Sequence, residues 1–259
     1  MSMRAPSRRT PTTQKAVVVL VHGAFADASS WNGVLKHLES NGVRAIAAAN
    51  PLRSLAGDAD YIGRLLASLD APVVLVGHSY GGSVITEAAA AHDNVKALVY
   101  VAAFAPDVGE TSFGLTEKFP GATLGQALSA PVKLVDGGLD LYIDPPKFPN
   151  QFAADVPEAA ARLMAAGQRP ITQAAGEEAV AHAAWKHLPS WFIYGDGDKN
   201  IPPQAHAFMA QRAESQQTVV VEGGSHVVMI SNPEAVASLV ESAALVATAA
   251  MPLAAAVGM

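Results

Sequence analysis

Apolar runs and turn-forming breaks alternate along the first hundred residues with a regular beat. Residues 16–21, Ala-Val-Val-Val-Leu-Val, form an unbroken run rich in β-branched side chains, the pattern of a strand buried on both faces. After Ala26-Asp27-Ala28-Ser29-Ser30, the residues Trp31, Leu35 and Leu38 share one helical face; Ser29 or Ser30 is the expected cap and Asn41-Gly42 the stop. Residues 43–49 predict a second strand closed by Asn50-Pro51, and residues 55–69 a helix with Asp58 near its start. Residues 73–76 predict a third strand, 83–91 a helix and 95–103 a fourth strand. Such alternation predicts an α/β fold, a mostly parallel central sheet covered on both faces through right-handed crossovers.

From Phe104-Ala105-Pro106 to about His187 the beat is lost. Pro, Gly and Ala dominate, with a hairpin expected at residues 132–135 and 139–143 around Asp136-Gly137-Gly138, and helices near 157–166 and 177–185. Texture of this kind between two core strands predicts an inserted cap over residues 107–187. The core resumes with a strand at 191–194, a helix at 205–212, a strand at 218–221 and a helix at 233–248. The core is thus expected over 16–106 and 188–248. A Ser-, Thr- and Pro-rich basic stretch, 1–15, reads as a disordered leader, and the Ala-rich 249–259 as a frayed tail.

Composition narrows the function. Half of the 259 residues are hydrophobic and the net charge is −6, with no Lys/Arg run beyond the first nine residues. That argues against nucleic-acid and anionic-membrane partners. No apolar run approaches the ~20 residues of a membrane span. With no cysteine, disulfides, thiolate nucleophiles and zinc-thiolate sites are excluded. Cytoplasm is the default location, and a homodimer is compatible with the composition.

The chemistry centres on Val73-Val74-Leu75-Val76-Gly77-His78-Ser79-Tyr80-Gly81-Gly82. Gly-x-Ser-x-Gly between a strand and a helix is a nucleophile elbow, a turn so sharp that the serine backbone is strained. Gly77 and Gly81 allow strand and helix to approach, and the Ser79 hydroxyl is expected at an exposed tip. In an open parallel sheet ligands bind beyond the carboxyl ends of the strands; His22-Gly23, Ser79, Asp196/Asp198 and His226 all fall there. A serine hydroxyl needs a base within hydrogen-bond reach, and the base needs a carboxylate behind it. His226, in Gly-Gly-Ser-His, is the expected base, and either Asp198 or Asp196 the acid. His22 and His78 are expected to order loops rather than move protons.

These residues resemble the α/β-hydrolase superfamily, in its branch of small serine esterases, hydroxynitrile lyases and cofactor-free haloperoxidase-like enzymes. The likeness covers nearly all of residues 16–245 and rests on His22-Gly23, Gly77-His78-Ser79-Tyr80-Gly81-Gly82, Gly195-x-x-Asp198 with Pro202, and Gly224-Ser225-His226. It implies the triad Ser79, His226 and Asp198, with Asp198 favoured over Asp196 by its spacing from Gly195. The amides of Ala24 and Tyr80 are the implied oxyanion donors. By analogy the cap supplies an apolar pocket, with Phe25, Phe104, Leu141, Tyr142 and Trp185 as candidate lining, joined by Tyr80, Phe113 and Met164.

The implied activity is hydrolysis of a small, largely apolar carboxylic ester through an acyl-enzyme, with no cofactor and no metal. His182 and His187 are five apart, a poor fit to one helix face, and Asp136, Asp140 and Asp144 are separated by bulky apolar residues. Two other outcomes stay open on this scaffold. One is lyase, perhydrolase or cofactor-free oxygenase chemistry; the lyases carry a lysine beside the triad histidine where this chain has Val227. The other is a receptor-like ligand-binding module. Dehalogenases and epoxide hydrolases of the fold carry aspartate where Ser79 stands.

Overall fold

The most apolar runs of the chain lie side by side in the middle of one sheet. A computed structural model describes residues 14–249; the leader up to residue 13 and the tail from residue 250 lie outside the described residues. The first half alternates as β1 (Val17–Val21), α1 (Asn32–Ser40), β2 (Arg44–Ala48), α2 (Leu55–Ala67), β3 (Val73–His78), α3 (Tyr80–Ala88) and β4 (Val95–Val101). Residues 107–187 carry α4 (Ser112–Glu117), α5 (Leu124–Ala127), β5 (Val132–Lys133), β6 (Leu139–Leu141), α6 (Phe148–Phe152), α7 (Glu158–Gly167), β7 (Ile171–Thr172) and α8 (Gln173–Glu177). The core returns with β8 (Ser190–Gly195), α9 (Pro203–Arg212), β9 (Gln217–Val221), α10 (Val228–Ser231) and α11 (Pro233–Ala249).

The central sheet has six strands in the order β2-β1-β3-β4-β8-β9, every pairing parallel. β1 and β3 are buried along their whole length, whereas the edge strands β2 and β9 carry exposed positions. That gradient is why the central strands are unbroken Val/Leu runs and the edges are not. α1 and α11 pack together on one face of the sheet, and α2 and α3 pack together on the other. β2 lies on one side of β1 and β3 on the other, so the winding reverses between β1 and β3. Their carboxyl ends therefore open a crevice at the switch point, where a parallel sheet takes its ligand.

The inserted segment builds a small antiparallel sheet, β5-β6-β7, ringed by short helices. Arg53, at the entrance to α2, fastens it to the core: its guanidinium meets Asp140 Oδ1 at 2.6 Å and the Pro170 carbonyl at 2.7 Å, and its own carbonyl accepts from the Thr172 hydroxyl at 2.7 Å. Asp140 is thus a partner for Arg53.

Two local expectations are corrected. The cap near Trp31 is Asp27, whose Oδ1 accepts from the Ser29 amide at 2.7 Å and opens a 3-10 turn, Ala28–Trp31, ahead of α1. A carboxylate on the residue just before the turn outcompetes the serine hydroxyls for that amide. The helix expected at 177–185 is absent: α8 ends at Glu177, Glu178 is extended, and only a 3-10 turn, Ala184–Lys186, follows. The Glu178 carboxylate is drawn to the amides of Leu55 (2.5 Å) and Ala56 (3.3 Å) at the start of α2, while Glu87 takes the amides of Ala181 (2.7 Å) and His182 (3.0 Å). Tertiary acceptors have replaced the helical ones.

The junction of β3 and α3 is a very close approach of backbone to backbone. A Cβ on Gly81 would stand 2.5 Å from the Val21 carbonyl oxygen and 3.0 Å from that of His22. Backbone atoms cannot swing aside as a side chain can. Gly81→Ala should therefore cost at least about 1–3 kcal/mol, read from the denaturant midpoint. Gly125→Ala in α5, with nothing within 4 Å of the added Cβ, should stay within about 0.5 kcal/mol of wild type.

Candidate active site

The end of β3 turns directly into α3 through Ser79, whose backbone is held at φ +53° and ψ −125°. A non-glycine residue at positive φ is strained, and strain persists only where its surroundings enforce it. Here the Ser79 carbonyl accepts from the Gly82 amide at 2.9 Å and the Phe104 amide at 3.2 Å, pinning the turn to α3 and to the loop after β4. The residue is not at an open tip as expected: it is 7 % exposed. The inserted segment lies over it, with the Phe152 ring of α6 edge-on to the His226 ring at 5.1 Å.

Three side chains distant in sequence meet at this turn. The Ser79 hydroxyl lies 2.8 Å from His226 Nε2, and His226 Nδ1 lies 2.7 Å from Asp198 Oδ2. An ionised carboxylate only accepts, so Nδ1 carries the proton and Nε2 is the acceptor for the serine hydroxyl. Asp198 Oδ1 accepts from the amides of Asn200 (2.8 Å) and Ile201 (3.1 Å), and its Oδ2 also faces His206 Nε2 at 3.0 Å. Burial by itself would raise this carboxyl; the charge and N–H of His226 and the N–H of His206 outweigh it and hold the group well below the usual carboxylate range. Asp196 is elsewhere. Its Oδ1 accepts from the Gly223 amide at 2.7 Å and ties the β8 and β9 loops together.

The two other histidines near the turn are locked by hydrogen bonds. His22 Nδ1 donates to the Gly23 carbonyl and Nε2 accepts from the Asn50 amide, both at 2.9 Å, joining the ends of β1 and β2. His78 Nε2 donates to the His226 carbonyl at 3.0 Å, supporting the loop that carries the base. Burial holds both rings below the ordinary imidazole range, so they are neutral. Tyr80 donates its hydroxyl to Asp58 Oδ2 at 2.9 Å, linking α3 to α2, and burial raises both groups.

Gly23 sits against the elbow, its Cβ direction 2.6 Å from the Ser79 Cβ and 3.2 Å from the Tyr80 amide nitrogen. This brings the loop bearing the Ala24 amide beside the Tyr80 amide, which as the first of α3 has no carbonyl of its own helix to bond. The next amide, Phe25, is occupied: it donates to the Arg169 carbonyl at 2.9 Å, and Phe25 takes φ +59°. The loop is therefore tied to the inserted segment.

Phe25 and Leu141 both border a cavity of about 400 Å³, together with Phe113, Phe119, Leu124 and Leu128. Its wall is largely apolar, broken by Thr116 and Glu117. The other candidates are placed elsewhere. The Trp185 indole N–H donates to the Pro106 carbonyl at 2.8 Å, and its ring lies 5.3 Å from the Arg212 guanidinium. Phe104 is buried, its backbone close against Gly82 and Ser79. Tyr142 is half-buried where its carbonyl accepts from Ser129. Met164 borders a separate cavity beside Leu163 and Ile230. Among the described residues no cluster of three or more His, Cys, Asp or Glu could hold a metal ion, and no helix is long and apolar enough to cross a membrane.

Two residues at this site carry little or no signal of their own in the sequence. Phe152 was lost in the irregular cap. His206 has a faint one: Ala205, Met209 and Ala210 share its buried face of α9, so a polar side chain stands where spacing calls for an apolar one.

Because its native pKa lies below the unfolded value, Asp198 contributes stability that is complete above the ordinary carboxylate range and lost as pH falls through the native value. The stability deficit of Asp198→Asn should be constant near neutrality and begin to narrow only below about pH 4, measured as the difference in unfolding free energy across a pH series.

Comparison with known proteins agrees with this architecture. Residues 18–239 match the alpha/beta hydrolase family. The chain is 26% identical over 250 residues to the alpha/beta hydrolase nvfD of Aspergillus novofumigatus, covering 89% of this chain and 97% of that protein. It is 26% identical over 252 residues to the alpha-hydroxynitrile lyase of Arabidopsis thaliana, covering 89% and 96%. Among solved structures, that of polyneuridine aldehyde esterase superposes with a TM-score of 0.76 at 20% identity, over 88% of this chain and 99% of that one, a likeness of fold. With its winding, its elbow and its matched length, the chain belongs to the alpha/beta hydrolase family.

Proposed function

We propose that the protein is a serine-dependent esterase that cleaves small, largely apolar carboxylic esters through an acyl-enzyme. The observation that carries this is the unbroken set of contacts from the Ser79 hydroxyl through His226 to Asp198, at 2.8 and 2.7 Å, at the head of a strained strand-to-helix turn. Ser79 Oγ attacks the ester carbonyl carbon as His226 Nε2 takes its proton. The carbonyl oxygen becomes an anion between the amides of Ala24 and Tyr80, and Asp198 stabilises the imidazolium. Collapse breaks the bond to the alkoxy oxygen, which leaves as the alcohol with the proton from His226. Water repeats the cycle on the acyl-serine and the acid departs. Every proton in this cycle is carried by the protein or water, so no cofactor is required.

The largely apolar cavity that Phe25 borders supports esters with an apolar acyl or alcohol group. Relatives named as esterases, including the pimeloyl-[acyl-carrier protein] methyl ester esterase of Neisseria meningitidis, 27% identical over 180 residues, support the reaction class. The Arabidopsis relative keeps cyanohydrin cleavage as the second outcome. Against it, the residue after His226 is Val227, fully buried, which supplies no cation for a departing cyanide.

Ser79→Ala should lower kcat/KM for a short p-nitrophenyl ester by at least about 10⁴-fold. A serine-reactive phosphonate should add its mass to the peptide carrying Ser79. Full turnover by the alanine variant would refute the mechanism, and cyanohydrin cleavage without ester turnover would favour the lyase.

A further inference from the structure

A second imidazole shares the acid of the relay. His206 Nε2 lies 3.0 Å from Asp198 Oδ2, the oxygen that also receives His226 Nδ1 at 2.7 Å, and all three side chains are essentially sealed from solvent. A buried histidine on the inner face of a helix is commonly just a satisfied core residue. This one differs in its partner. Asp198 accepts only while ionised, so His206 Nε2 must carry its proton toward the carboxylate. With the amides of Asn200 and Ile201 on Oδ1, four donors occupy the roughly four lone-pair sites that a carboxylate offers.

We propose that His206 is a positioning residue for the reaction: by donating to Asp198 Oδ2 it holds that oxygen in line with His226 Nδ1 and draws off part of its negative charge. The proposal rests on Ser79, His226 and Asp198 being the reacting set. Without His206, Oδ2 would be left with one donor in a site closed to water, free to rotate off the imidazole.

Charged and polar groups reach this ring from several elements. Asp198 comes from the loop after β8, and Tyr194 of β8 stacks on the ring at 4.7 Å and 17°. The Ala103 backbone comes from the loop after β4, and His226 from the loop after β9. His226 in turn faces His78, with ring centres 4.9 Å apart, and Ser79. Burial holds His206 below the ordinary imidazole range, so it acts as a neutral donor.

The test compares the full-length wild type with His206→Leu and His206→Gln. In His206→Leu kcat for a short p-nitrophenyl ester should fall by up to about 100-fold with KM little changed, the mark of a misplaced reacting group rather than lost binding. His206→Gln, whose amide can donate to the same oxygen, should restore kcat. A folded His206→Leu with the wild-type kcat would overturn the proposal, and so would a glutamine variant no better than leucine.

If the leucine variant does not fold, imidazole nitrogen–proton NMR of the wild type decides. A proton on His206 Nε2, held at a low-field shift, supports the donor role, and an unprotonated Nε2 overturns it. Ester turnover that does not need Ser79 would sink the esterase instead, leaving the NMR result to speak for His206 alone.

Discussion

The architecture depends on how closely two strand ends and one helix can approach. β1 and β3 are neighbours in register, Val21 opposite Gly77, and α3 begins almost in contact with the carbonyl that ends β1. That contact forces the turn into a backbone region a serine would not choose alone, and the amides of Gly82 and Phe104 keep it there. Everything polar at the site is referenced to this point. The same adjacency brings the Gly23-Ala24 loop beside the elbow, because the loop is the continuation of β1.

The second constraint is electrostatic. A carboxylate fully out of water is tolerable only when its oxygens are filled by donors, and Asp198 meets that requirement with two backbone amides and two imidazoles. The backbone half comes from the turn after β8, so it is set by the fold. The imidazole half comes from α9 and from the loop after β9, so it depends on how those elements dock. Neutral His22 and His78 complete the pattern by holding the loops with directional bonds that need no charge.

The parallel core was legible because β-branched runs in a central strand have no polar face to confuse the period. Strand ends fell within a residue or two of the expected ones. Ser79 and His226 were legible because a motif fixes each relative to a strand end, and the choice of Asp198 over Asp196 needed family spacing. What stayed hidden was set by long-range contact. The extended path after Glu178 answers to amides more than a hundred residues away. The apolar wall is likewise formed by separate short helices, so Trp185 and Phe25 looked alike until the chain was folded, although only Phe25 reaches the cavity.

One modest bond, from the Phe25 amide to the Arg169 carbonyl, joins the loop beside the elbow to the segment that roofs it. Any displacement of that segment would pull on the loop, so the two are mechanically coupled. A segment that drifted in length or register over evolutionary time would shift the loop beneath it while leaving Ser79, His226 and Asp198 themselves unaltered.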